Sequence, residues 1–271
     1  MQMDHESVSL RQAEYIKHHR RHHHLVTLLR FLMFFLFLVL WEVSADLHWI
    51  DAFIFSSPGR ILETVIDMGR DSSIFRHTGI TLYETLLSFI LVLLVSFLTA
   101  TLLWFSSTVS EILEPWLVIL NSLPKSALAP LLIVWLGANT TTIITAGMSV
   151  AVFGSIISMY TAFRSTDEEK IKLIYTLGGS RMQVLKDVVI PSSLPSIISI
   201  LKVNIGLCLV GVIIGEFLAA REGLGYLIIY ASQIFKMNYL ITALIILCII
   251  AFCLYQGIQK LEHQIRKTRS L

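Results

Sequence analysis

The chain has 271 residues, of which 55% are hydrophobic and only 15% charged, with a net charge of +2 and a mean hydropathy of +0.73. Soluble domains carry roughly 25% charged residues, and a water-soluble core of this size has too little interior to hide so much apolar surface. That excludes a soluble globular protein, and no nucleic-acid partner is expected.

The apolar residues fall in blocks of about 20, the length that crosses a hydrocarbon layer of ~30 Å. The fold class is therefore an all-α polytopic membrane protein, with about six transmembrane helices near 25–45, 79–105, 115–136, 141–163, 194–220 and 238–259. Residues 1–24 form a basic, His-rich tail. His18, His19, His22, His23 and His24 have helical spacings that could hold zinc or nickel. They are interleaved with Arg20 and Arg21, which favours a tail lying on anionic lipid over a metal site. The first apolar run begins near Leu25 and has no small-x-small cleavage site after it, so it reads as a retained span.

Between the first two spans, Ser57-Pro58 offers a cap and a first-turn proline. Ile61, Leu62, Val65, Ile66 and Met68 then form an apolar stripe opposite Arg60, Glu63, Asp67 and Arg70, predicting an amphipathic helix at the membrane surface. Span two carries Glu84. Pro124 and Pro130 interrupt the start of span three, either as ordinary kinks or as a bend that opens and shuts a pathway.

The connection from about 164 to 195 has its own structure. Thr166-Asp-Glu-Glu169 and Ser180-Arg-Met-Gln183 read as two capping boxes. Ile171, Ile174 and Leu177 follow the first, and Val184, Leu185 and Val188 the second. Gly178-Gly179 should stop the first helix, and Pro191 and Pro195 the second. Two short amphipathic helices are expected, serving either as a hairpin packed on its own bundle or as a docking element.

Spans three and five contain Lys125, Lys202, Asn204 and Glu216. An ionisable group at bilayer depth costs at least ~2.5–3.5 kcal/mol and should face protein or water. Lys125 and Glu216 either line a pathway or snorkel to the interface; Lys202 could do either, and Asn204 suits a helix–helix hydrogen bond. Gly206, Gly211 and Gly215 argue for a close helix crossing. Cys208, Cys248 and Cys253 lie in apolar runs without metal spacing. Residues 261–271 form a second basic tail. With both termini cytoplasmic, 14 of the 21 Lys and Arg lie inside, which sets the orientation and places the chain in the cell (inner) membrane.

Lys172-Leu-Ile-Tyr-Thr-Leu-Gly178, nine residues and then Val188-Val-Ile-Pro191 resemble the EAA motif of ABC importer permeases. Lys172-Leu173-Ile174 stands in place of the Glu-Ala-Ala triplet. Asn121–Gly137 and Glu216–Gly225 resemble segments of the nitrate, sulfonate and taurine branch, whereas Glu84 stands where relatives often carry a basic residue. The resemblance covers about residues 55–260 and implies a type I importer permease domain over 25–260. It implies an ATPase-docking coupling loop at about 164–195, involving Lys172, Leu173, Ile174, Leu177, Gly178, Ser180 and Pro191. A cytoplasmic ATPase dimer, an extracytoplasmic binding protein and a second permease subunit are its implied partners, with Pro124, Pro130, Lys202, Asn204 and Glu216 as candidates for pathway or gate.

No phosphate-binding loop is present: Val212-Ile213 follow Gly211 where Lys and Ser/Thr are required. No enzymatic activity or cofactor of the chain's own is expected. The rival reading is a secondary transporter or channel, which an inverted repeat would favour; none is evident. An intramembrane enzyme and a non-transporting scaffold have less support.

Overall fold

The computed structural model describes the backbone of residues 2–269 and the side chains of His22 and residues 25–265. The side chains of His18, His19, His23 and His24, and those of the basic tail from 266 onward, lie outside the described residues. Among the described residues all regular structure is helical: α1 (Gln2–Asp46), α2 (Ala52–Phe55), α3 (Pro58–Arg70), α4 (Ser73–Phe105), α5 (Ser107–Ser122), α6 (Lys125–Leu136), α7 (Thr140–Arg164) and α8 (Glu168–Thr176). Then α9 (Arg181–Gln183), a π-helical stretch at Val184–Val189 and α10 (Ile190–Ala219) run on as one rod, followed by α11 (Leu224–Gln233) and α12 (Met237–Arg269). Among the described residues, five helices are long and apolar enough to cross a membrane, or six if α5 and α6 count as one span.

The chain divides into two compact units, residues 1–64 and 65–271. In the first, Leu25–Asp46 is the apolar part of α1. Near its end, the Glu42 carboxylate accepts the Gly59 N–H at 2.8 Å and the Ser57 hydroxyl at 3.2 Å. An acid at the first turn of α3 satisfies orphan donors and complements the helix dipole. Of the stripe predicted on α3, Ile61 and Met68 are buried, whereas Leu62 and Ile66 are exposed.

In the second unit α7 packs lengthwise on both α4 and α10. Close approach comes from small residues. A Cβ on Gly211 would stand 2.8 Å from Gly147 Cα, and one on Gly215 would stand 3.0 Å from Ile143 Cα. These two glycines serve an intrachain crossing; Gly206 meets nothing. One apolar cluster, with Leu103, Met159, Phe163, Val184 and Val189, closes the end of the bundle where α7 leads into α8. A second joins Met68, Leu224, Leu227, Ala243 and Ile250 around α11 and α12.

The third predicted span differs from a continuous helix. α5 and α6 meet at 96°. A residue before proline is pushed out of helical geometry, and Leu123 is extended at ψ 139°, with Pro124 as the N-cap of α6. Lys125 folds back, and its ammonium donates to the carbonyls of Leu120 and Asn121 at the end of α5, groups that helix termination had left unpaired. Pro130 lies within α6.

Candidate functional site

Two regions, one at each end of the bundle, hold the coupling-loop residues and Glu216. At the first, Asp167 rather than Thr166 caps α8, its carboxylate accepting the Glu169 N–H at 2.9 Å. Thr166 Oγ1 is buried without a partner. α8 ends at Gly178, whose φ of +80° suits glycine. The Gly179 N–H reaches Ile174 O at 2.9 Å and the Gly178 N–H reaches Tyr175 O at 3.0 Å, which is the Schellman pattern. The Ser180–Gln183 capping box forms as read.

The second helix does not stop at the prolines. A proline in a helix lacks its N–H and crowds the carbonyl four residues back. The wider π-helical stretch at Val184–Val189 ends two residues before Pro191, and such widening is how a helix absorbs an insertion in its ladder. The predicted pair of short helices is therefore one short helix, α8, beside the foot of a long one.

That foot is anchored. Arg181 donates to Trp104 O at 3.1 Å and lies over the Trp104 and Phe105 rings at 5.5 and 5.6 Å. Ile171 and Ile174 pack into the apolar cluster of this end. The neighbouring face of α8 presents Leu173, 58% exposed, beside the exposed Lys172–Glu168 pair; Leu177, expected to continue the Ile171–Ile174 stripe, instead lies one turn on from Leu173 at 75% exposure, because the helix ends there.

α8 follows α7 and precedes the foot of α10, so the start of α7 and the end of α10 lie at the opposite end. There Glu216 is buried at 1% exposure and organises the turn into α11. Thr81 on α4 donates to Glu216 Oε1 at 2.7 Å and accepts the Leu224 N–H at 2.8 Å. The Gly225 N–H donates to Glu216 Oε2, and the Gly223 N–H donates to His77 Nδ1 at 3.0 Å. Gly223 has φ +115°, and a Cβ there would lie 2.4 Å from the Glu216 carboxyl carbon. Only glycine lets the chain wrap this acid.

The Glu84 carboxyl, one turn along α4 from Thr81, neighbours that of Glu216. Glu84 is also 1% exposed, yet its Oε2 has no partner. Leaving such an acceptor unpaired costs about 1–3 kcal/mol. Beside it is a cavity of about 360 Å3, lined by Tyr83, Glu84, Asn139, Thr140, Arg221 and Glu222 among others.

Residues 92–267 match the family described as "Binding-protein-dependent transport system inner membrane component". The chain belongs to this family. Among its relatives, a "Probable ABC transporter permease protein" of Haemophilus influenzae is 32% identical over 84% of this chain and 92% of its own length. The "Formylaminopyrimidine transport permease protein ThiX" of Halalkalibacterium halodurans is 28% identical over 86% and 92%. The "Taurine transport system permease protein TauC" of Escherichia coli is 26% identical over 84% and 85%. A solved inward-facing form of the MetNI methionine ABC transporter matches the fold with a TM-score of 0.63 at 17% identity, covering 71% of this chain and 95% of that one. The chain is thus a multi-pass, membrane-spanning permease subunit of an ATP-binding-cassette importer, and the secondary-transporter reading is not favoured.

Within this permease the predicted polar residues do not converge. Asn204 donates to Ser155 Oγ at 2.7 Å, a buried α10–α7 bond. Lys202 pairs with Glu262 and lies 5.8 Å from the Tyr255 ring. Lys125 and Pro124 shape the α5–α6 break, and Glu216 holds the turn into α11 without lining the far-end cavity. Thr81 and His77, and the long-range contacts of Gly223 and Arg181, are not legible in the sequence because the partners are 77 to 146 residues away. Glu84 carried a local signal, an acid in an apolar run, but nothing local ties it to Glu216.

Proposed function

We propose that this permease docks a cytoplasmic ATPase dimer through the exposed face of α8 and lies with both termini in the cytoplasm. Two copies pair to enclose the translocation pathway, and an extracytoplasmic binding protein delivers a small organic solute, in the range from sulfonates and taurine to amino-substituted pyrimidines. The observation that carries the docking reading is the division of α8 into two faces. One face is locked into the bundle by Ile171 and Ile174; the other offers Leu173 and Leu177.

Two exposed leucines on a helix capped at both ends make a rigid apolar knob of the kind a partner groove covers. The anchoring of its neighbour Arg181 to Trp104 lets a push on this knob reach α4 and α10 as rigid rods, which coupling through two discrete arrangements requires. Lys172, Gly178, Ser180 and Pro191 act by shaping and flanking the knob. The basic tails rest on anionic lipid. Pro124, Pro130, Lys202, Asn204 and Glu216 serve the moving bundle, with the α5–α6 break as its flexible element.

The test is co-purification of the tagged chain from its native membrane in mild detergent, wild type against Gly178→Pro. Proline cannot adopt φ +80°, so the turn after α8 breaks while the spans stay inserted. An ATPase that accompanies wild type and is lost from the variant supports the reading; wild type without any ATPase overturns it.

A further inference from the structure

We propose that the cavity at the end of the bundle remote from α8 is a solute subsite that recognises an amino group through Glu84. The inference rests on the permease reading above and deepens it by naming the chemistry of the solute.

Three observations converge on it. Glu84 lines the cavity and is 1% exposed, while its Oε2 finds no hydrogen-bond donor among the described residues. Buried polar atoms are almost always partnered, and this orphan, unlike that of Thr166, belongs to a residue that lines a cavity from which a donor can come. Its neighbour Glu216 is saturated, with the Thr81 hydroxyl on one oxygen and the Gly225 N–H on the other. The unmet demand is therefore for an N–H at Glu84, beside a second acid. That combination favours a primary amine or ammonium over an anion.

The rim supplies the other half of a recognition pattern. Glu222 is paired with Arg76, whereas Arg221, exposed on the same rim, makes no ion pair among the described residues. A guanidinium suits an anionic or strongly accepting group. Tyr83, 59% exposed, gives the cavity an aromatic wall. A volume of about 360 Å3 lies at the small end of ligand pockets, which fits a compact solute with an amino group at one end and an acceptor at the other. Glu84 is among the lining residues, so its carboxyl borders the volume that such a solute would fill.

The test uses the purified full-length chain in lipid nanodiscs and reads thermal unfolding midpoints with matched probes. One pair is 2-aminoethanesulfonate against ethanesulfonate; the other is 4-aminopyrimidine against pyrimidine. The amine-bearing member of at least one pair should raise the midpoint, and its amine-free partner should not. Glu84→Leu should abolish that difference, and Arg221→Ala should weaken binding of the sulfonate at least several-fold. Equal shifts within both pairs, no shift with any probe, or an unchanged preference in Glu84→Leu overturns the inference. Wild-type preparations are assayed in parallel for ATPase association. An ATPase that binds while the amine preference fails sinks this inference alone; absence of the ATPase sinks the docking proposal instead.

Discussion

Thr81 on α4 and Glu216 on α10 are joined by a buried 2.7 Å hydrogen bond, and the same Thr81 hydroxyl receives the Leu224 N–H at 2.8 Å. One side chain thus ties a membrane helix to both sides of a turn. Thr81→Val keeps the shape and removes the hydroxyl, leaving a buried carboxylate oxygen and a buried N–H each short of a partner. The expected loss is about 1–3 kcal/mol for each group. Unfolding of the purified protein in detergent should show it, with Thr78→Val as the control for a partly exposed threonine in the same helix.

The glycines of α10 should separate sharply. Gly211→Ala drives a methyl to 2.8 Å from the backbone of Gly147 and 2.9 Å from Ala146 O, and an overpacked crossing costs typically 1–3 kcal/mol. Gly206→Ala meets nothing within 4 Å and should be neutral or slightly stabilising. Equal unfolding midpoints for the two variants would contradict the crossing described here.

On α8 the two faces should respond differently. Leu173→Ser with Leu177→Ser should leave unfolding within about 0.5 kcal/mol of wild type, as surface changes do, and reduce ATPase co-purification at least tenfold. Ile174→Ser, whose side chain packs in the apolar cluster, should destabilise the protein itself by about 1–3 kcal/mol. Lys172→Ala removes an ion pair whose side chains are 74% and 83% exposed, so it should cost under about 1 kcal/mol. Any larger effect on uptake would then come from contact with a partner.

Asn204 and Ser155 offer a clean measure of an intramembrane hydrogen bond, since their 2.7 Å contact is buried between α10 and α7. A double-mutant cycle with Asn204→Ala and Ser155→Ala should return a coupling energy of about 0.6–1.7 kcal/mol. A coupling near zero would mean that each side chain finds another partner when its mate is removed.

Much of the architecture was legible in the residues alone. Runs of apolar residues long enough to span a bilayer located the helices, because in lipid a helix must satisfy its own backbone. The Ser180–Gln183 box and the stop at Gly178 were readable because their hydrogen bonds close within five residues. Prolines misled at Pro191: the local rule ends a helix there, but Val184, Leu185 and Val189 are buried in the apolar cluster, and packing carries the rod through by a π-helical widening. Thr166 misled for a similar reason, since Asp167 offers a carboxylate one residue closer to α8.

The residues in order carry the class, the positions of the long apolar helices other than the broken third one, the capped element between α7 and α10 and, through the resemblance of Lys172–Pro191, the importer family. The surroundings of the buried acids come from the tertiary fold. Glu216 and Glu84 look alike in sequence, each a single charge in an apolar run. Folding surrounds one with donors from Thr81 and Gly225 and leaves an oxygen of the other without any. The partners are up to 135 residues away along the chain. A hydrogen bond across that separation depends on how three helices cross, and helix crossings are set by packing of whole faces rather than by any local spacing.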